Sequence, residues 1–358
     1  MPRTTEGAVG ARPTIRDIAR VAGVSKASVS YALNDLPGVS EETRARIRAT
    51  ATELGWRPSA AARSLSRARA GAVGLAVARD VHLLEEEPYY MRFIAGMESV
   101  LAREGLSLLL SVVPDVDAAV EVLRDWWGER RVDGVVLTDL RVEDPRVALV
   151  TELGIPCALR AGIDDRMPDG AQLALSVETE RQSFVEVVDH LVAQGHRRLA
   201  RVAGPREFLH TRRRDIAWAE VTRSALGRAA PVVVADYTSA GGLAATRELL
   251  AGARPPTAVV YDNDVMAAAV VAERASLGVR VPEDLAVVAG EDSMLCRLAS
   301  PAISCLHRDV VADGARSARL LLEVVLGRSS EVSVTEPHRL VVRGTTAPGA
   351  PAAPAAGG

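Results

Sequence analysis

The stretch TIRDIARVAGVSKASVSYALND, Thr14 to Asp35, holds two short amphipathic runs around Gly23, and the second run is dense in polar side chains. Ser25, Ser28 and Ser30 are poor helix formers, yet they cluster there with Lys26, Ala27 and Tyr31. Short hydroxyl side chains let a backbone approach closely and donate to phosphate oxygens, while Lys26 and Tyr31 are long enough to reach base edges in a major groove. The chemistry implied is recognition of duplex DNA. The plainer alternative for the same residues is a three-helix bundle with a solvated polar face. No nucleophile, metal cluster or carboxylate pair is spaced for catalysis, so the sequence does not read as an enzyme. The glycines of GPREF and AGG have neither phosphate-loop nor dinucleotide spacing. Cys157, Cys296 and Cys305 form neither a metal-ligand spacing nor an even disulfide set, and read as small core residues; no cofactor or metal is expected.

The elements that must position these residues are legible from their ends. Thr14 and Asp17 have capping-box spacing, Ile15, Ile18, Ala19 and Ala22 give one apolar stripe, and Gly23 stops the helix. Ser25 caps a second helix with an inner face of Val24, Ala27 or Ser28, Val29, Ala32 and Leu33. Two helices joined by so short a turn make a helix-turn-helix. Ser40 caps a third, with Glu41 and Glu42 in its first turn and Gly55 as its stop; Trp56 closes the small core. Residues 1–70 carry twelve basic and six acidic side chains, against 31 and 40 in the remainder, so a polyanion partner suits the head alone. Lys26 is the only lysine of the chain, so much of the arginine usage reflects composition rather than phosphate binding.

At 358 residues, 48% of them apolar, the chain is long enough for a small module plus one or two larger lobes. Beyond Gly71, apolar runs such as AVGLAVA, VDGVVLT, LARVAG, TAVVYDN and LAVVAGED alternate with amphipathic helices, which implies parallel sheets covered on both faces. The boundaries expected are a disordered start over 1–12, a headpiece over 13–57, a hinge helix or linker over 58–70, a two-lobed core over 71–345 and a disordered tail over 346–358. No apolar run approaches a membrane span and the start has no hydrophobic signal segment, so a cytoplasmic protein without membrane contact is expected.

The headpiece stretch, followed by VSEETRARIRATATELGWRPSAAARSL, resembles the DNA-binding head and hinge of the lactose-repressor family of transcription factors. RVDGVVL, HLVAQGHRRLARVAGP, TAVVYDNDVMAAAVVAERASLGVRVPEDLAVV and SPAISCLHRDV extend the resemblance over nearly the whole chain. It implies an α/β fold class: a three-helix helix-turn-helix headpiece plus hinge helix, then a periplasmic-binding-protein-like core of two lobes with parallel sheets. It places Lys26, Ala27 and Tyr31 at base-reading positions, and Thr14, Ser25, Ser28, Ser30, Asn34 and Ser40 at backbone-contacting ones. Arg63 would neutralise phosphates and Leu65 would wedge into the minor groove of an inverted-repeat operator bound by a homodimer. His196 reads as structural.

In such a core a small-molecule effector lies between the lobes, at the carboxyl ends of the strands. The resemblance implies contacts from Tyr89 or Tyr90, Tyr237, Asn263 and Glu291. Three polar anchors look replaced, by Ala161, by Thr179 and its neighbours, and by Trp218. Trp218 would then add an apolar wall, and the inventory favours an effector with a flat or apolar part over an unmodified hexose. Arg160, Arg181 or Arg212 offer substitute anchors. Tyr237 and Trp218 equally suit core aromatics, and Asn263 and Glu291 equally suit strand caps or partners of arginines. A DNA-binding regulator, most simply a repressor, is the leading reading; one with a non-sugar effector or none, and a sugar-importer module, are the alternatives, the last lacking any use for a helix-turn-helix.

Overall fold

The computed structural model describes residues 13–56, 69–161, 173–177, 180–328 and 332–346. The chain divides into two compact units, Met1–Ala70 and Gly71–Gly358. The first is a three-helix head: α1 (Ile15–Ala22), α2 (Lys26–Leu33) and α3 (Glu41–Glu53). Asp17 accepts from the backbone and hydroxyl of Thr14 at 3.0 and 2.7 Å, and Gly23 ends α1 in the left-handed region, at φ 65°. Ser25 and Ser40 cap α2 and α3, accepting from the backbone of Ser28 and Thr43. The core is small: Ile18, Ala19, Ala22, Val29, Ala32, Ile47 and Ala51, with Trp56 packed at its edge. Ala27, allowed to either face by its spacing, is exposed.

The second unit holds two six-stranded sheets. The first lobe runs β1 (Ala72–Ala78), α4 (Val81–Glu86), α5 (Tyr89–Leu101), β2 (Ser107–Val113), α6 (Val116–Gly128), β3 (Val135–Leu137), α7 (Pro145–Glu152), β4 (Cys157–Ala161) and β5 (Leu173–Val177). The second runs α8 (Glu180–Ala193), β6 (Leu199–Ala203), α9 (Leu209–Leu226), β7 (Val232–Val234), α10 (Ser239–Ala251), β8 (Ala258–Tyr261), α11 (Asp264–Ala272), β9 (Ala286–Ala289), α12 (Met294–Leu298) and β10 (Ser304–His307). The chain then returns to the first lobe with α13 (Val310–Val325) and β11 (Val332–Val334), and to the second with β12 (Arg339–Val341).

The strand orders are β11-β5-β4-β3-β1-β2 and β12-β10-β9-β8-β6-β7, parallel throughout except for β12 against β10. Both sheets therefore reverse direction of winding beside their first strand, at β1 and at β6, and such a switch opens a crevice at the carboxyl edge. Helices α5 and α13 meet backbone to backbone: a Cβ on Gly96 would lie 2.0 Å from the Val311 carbonyl oxygen, and one on Gly314 2.0 Å from that of Phe93. No helix among the described residues is long and apolar enough to cross a membrane.

Trp218 corrects an expectation. It is fully buried under the second sheet, edge-on to Phe184 at 5.5 Å and donating its indole N–H to the Ala230 carbonyl at 3.2 Å. It is a core aromatic and no wall of the cleft. Trp218→Ala should cost about 3–5 kcal/mol of core stability in urea unfolding, whereas Trp218→Phe should leave effector affinity unchanged; a change in that affinity would return Trp218 to the site.

Candidate functional site

In the head, α2 turns Val29 and Ala32 inward and leaves Lys26, Ala27 and Tyr31 outward, Tyr31 with 44% of its surface exposed. Thr14, Ser25, Asn34 and Ser40 are also exposed, and Ser28 and Ser30 are half-buried beside them. The hydroxyls of Ser25 and Ser28 lie 2.9 Å apart at the start of α2. Its far end is fastened by a residue whose part the sequence did not reveal. Arg44 of α3, 8% exposed, donates to the carbonyls of Tyr31, Ala32 and Leu36 at 3.0–3.4 Å and pairs with Asp35. A guanidinium at the carbonyl end of a helix is favourable, and here it holds the outward face of α2 in place. Arg63 and Leu65 lie outside the described residues.

In the core, the carboxyl ends of both sheets converge on a cleft. Its charged and amide groups sit at strand ends: Arg79 after β1, Asp139 after β3, Arg160 in β4, Asp262 and Asn263 after β8, Glu291 after β9 and Arg308 after β10. The first turns of α9 add His210, Arg213 and Arg214; Tyr89, Glu87 and Tyr237 complete the polar wall. Arg79 bonds Asp139 at 2.6–2.7 Å and lies over the rings of Phe208 and Tyr237, 4.6 and 5.3 Å from their centroids, so one guanidinium of the first lobe rests on two aromatics of the second. The lobes also meet where Leu209 donates to the Leu140 carbonyl at 2.8 Å, Arg92 to the Asp292 carbonyl at 2.8 Å, and Ser239 to Glu86 at 2.9 Å.

Burial works to raise the Asp139 carboxyl, but Arg79 and the Tyr90 hydroxyl outweigh it and hold Asp139 ionised. His210 is held neutral. Burial, aided by Arg214, lowers it to about 3, so its ring is neutral and bonds the Tyr237 hydroxyl at 2.9 Å. Arg214 is fixed from behind by Glu180, at 3.1 Å.

Of the residues expected at the effector site, Tyr89, Arg160, Tyr237, Asn263 and Glu291 line this cleft. Tyr90 stands one layer back, bonded to Asp139. Asn263 also caps α11, accepting from Met266 at 3.0 Å, and donates to the Tyr237 carbonyl at 2.9 Å. Glu291 pairs with Arg308, a cleft residue not foreseen. Arg212 is a second correction: it is exposed and donates to the Arg206 carbonyl, while Arg213 and Arg214 face the cleft. Arg181 is exposed beside Glu220. The arginine that seemed replaced by Trp218 thus stands one helical turn earlier, as Arg214. Arg79, Glu87, Asp139 and Asp262 were missed altogether; for Arg79, Asp139 and Asp262 a charged residue within two positions of the end of an apolar strand run was the available signal, and for Glu87, between two helices, there was none.

Donor atoms of Asp292, Cys296 and Cys305 lie within 4.8 Å of one another. The guanidinium of Arg343 bonds Asp292 and the Cys305 sulfur at 3.0 Å, so a fixed cation already balances that group. The three cysteines are free and buried.

His210 gives a pH test. Its folded-state pKa lies below the ordinary value of 6.5, so the unfolded chain takes up a proton that the folded one refuses, and stability is lost as pH falls below about 6.5. Glu87 and Asp264, raised to about 8 and about 6, act oppositely, because there the folded state binds the extra proton. The diagnostic is therefore a difference: His210→Gln should gain on the wild type by about 1 kcal/mol between about pH 7.5 and 5.5, read from urea unfolding. A constant difference would show that His210 titrates freely.

Residues 14–59 match the profile described as bacterial regulatory proteins of the lacI family, and residues 188–346 match the periplasmic binding protein-like domain. The HTH-type transcriptional regulator CelR of Thermobifida fusca is 31% identical over 342 residues, 92% of this chain and 96% of that one. A solved complex of CelR with cellobiose aligns with 30% identity and a TM-score of 0.69 over 93% of this chain and all of that one. A lac repressor dimer bound to operator and an anti-inducer aligns with 25% identity and a TM-score of 0.80, covering 94% and 99%. With the helix-turn-helix head, the two-lobed core and a relative of this identity over nearly its full length, the chain belongs to the lacI family and is a DNA-binding transcriptional regulator.

Proposed function

We infer that the protein is a cytoplasmic homodimeric repressor that acts by binding and not by catalysis, its two heads reading an inverted-repeat operator and a short saccharide in the cleft setting their affinity. The observation that carries the effector part is the convergence of carboxylates and guanidinium groups at the carboxyl ends of both sheets. Carboxylates accept from sugar hydroxyls and guanidinium groups donate to them in pairs, while Tyr89 and Tyr237 offer ring surface. Because Arg214 and not Trp218 occupies the wall, one of the three replacements that favoured a partly apolar effector falls away; Thr179, a second, lies outside the described residues. The cellobiose complex of the related CelR supports the same class. Dimerisation follows from the size of the head, which covers one half-site, and agrees with the dimeric lac repressor on its operator.

Selection of bound DNA from a random pool should return an inverted repeat, with affinity falling steeply between about 50 and 200 mM salt. Lys26→Ala and Tyr31→Ala should each relax base preference at particular operator positions; an unchanged selected sequence removes that residue from readout. Calorimetry with neutral and amino-substituted mono- and disaccharides should find a ligand whose affinity drops about ten- to a hundredfold in Arg214→Gln and in Glu291→Gln, and which alters operator affinity. Binding unaffected by either substitution would place the effector elsewhere.

A further inference from the structure

Most charges of the cleft are matched within the protein: Arg79 by Asp139, Arg308 by Glu291 and Arg214 by Glu180. Glu87 stands apart. It lies between α4 and α5, lines the cleft, is 8% exposed, and its Oε2 has no hydrogen-bond partner among the described residues. The charged groups that act on it most strongly are Arg79 at the end of β1, Glu291 after β9, Asp139 after β3 and Asp264 in the first turn of α11. Three of these four are carboxylates. Asp264, 1% exposed, leaves its own Oδ2 without a hydrogen-bond partner among the described residues.

A buried carboxylate oxygen without a donor is costly, and in a native protein such a group calls for an explanation. Burial, reinforced by Glu291, Asp139 and Asp264 against the pull of Arg79, raises the Glu87 carboxyl to about 8. A ligand hydroxyl placed there would supply a hydrogen bond to the Glu87 carboxyl but no charge. A ligand ammonium supplies both the donor and the charge, and by that charge it favours the ionised form of Glu87, which releases its proton as the ligand binds. The neighbouring Glu86 accepts from the backbone and hydroxyl of Ser239 at 3.2 and 2.9 Å, so a group bound at Glu87 is one residue from a contact that joins the lobes.

We propose that the effector carries a protonated amino group and that Glu87 is the residue that selects it, the ligand being an amino-substituted saccharide in place of a neutral one. The proposal rests on reading the cleft as a saccharide site, and the probes separate the two claims. Cellobiose and the β-1,4-linked disaccharide of glucosamine are titrated calorimetrically into the full-length protein near neutral pH, in the wild type, Glu87→Gln and Glu87→Asp. The amino disaccharide should bind the wild type about ten- to a hundredfold more tightly than cellobiose, the range of a charge-assisted hydrogen bond. Glu87→Gln, which keeps the shape and removes the ionisable carboxyl, should abolish that preference, and Glu87→Asp should restore part of it; urea midpoints of the variants separate lost recognition from lost folding. Equal or tighter binding of cellobiose in the wild type overturns the proposal, as does a preference that survives Glu87→Gln. If neither disaccharide binds, the saccharide reading fails and putrescine and spermidine test the amine alone. Binding of either that disappears in Glu87→Gln upholds Glu87 as an ammonium site, and binding of neither overturns it.

Discussion

The Arg79 guanidinium is the contact on which the two-lobed core depends. It belongs to the first lobe through its strand and its pair with Asp139, and to the second through the faces of Phe208 and Tyr237. A buried cation needs a partner anion and a polarisable surface, and this one draws the two from opposite sides of the cleft. Anything that enters the cleft meets a lobe contact already made of charge and ring, so a bound ligand competes with or reinforces that contact directly. This is a physical route from occupancy to lobe geometry that needs no long chain of side-chain movements.

How much of this was legible in the sequence depends on the range over which each feature is determined. The head was readable because its signals are local: Ser25 and Ser40 as caps, Gly23 and Gly55 as stops, and a stripe repeating within single helices. Arg44 escaped because its partners, the carbonyls closing α2, lie 8–13 residues away and are defined only once α2 and α3 pack. The parallel sheets followed from apolar runs alternating with helices. The cleft was harder. Arg214 and Trp218 are one turn apart and share a face of α9, so spacing alone admits either at the cleft, and only the depth of α9 against the sheet decides. Arg79, Asp139 and Asp262 each stand within two residues of the end of an apolar strand, a pattern that was present but reads as an ordinary loop until the strands are known to point the same way.

Two cleft residues carry unusual backbone. Asp139 and Tyr237 have φ of 49° and 71°, in the left-handed region that residues with a Cβ rarely adopt. Tyr237 is accommodated by a glycine, since a Cβ on Gly204 would lie 1.9 Å from its ring. Strain of this kind persists only where the surroundings enforce it, and here both residues belong to the interlobe cluster around Arg79.

The return of the chain to each lobe after visiting the other has a consequence for biosynthesis. The first lobe is completed by α13 and β11 and the second by β12, all in the last part of the chain. The backbone contact of Gly96 with Val311 must therefore wait while some two hundred residues are translated, and the edge strand of the second sheet emerges later still. The head, whose core closes between Ile18 and Ala51, has no such delay. On the ribosome a finished head precedes an unfinished core, and the nascent protein passes through a stage in which the part that recognises DNA is folded while the part that governs it is still open and in need of protection from aggregation.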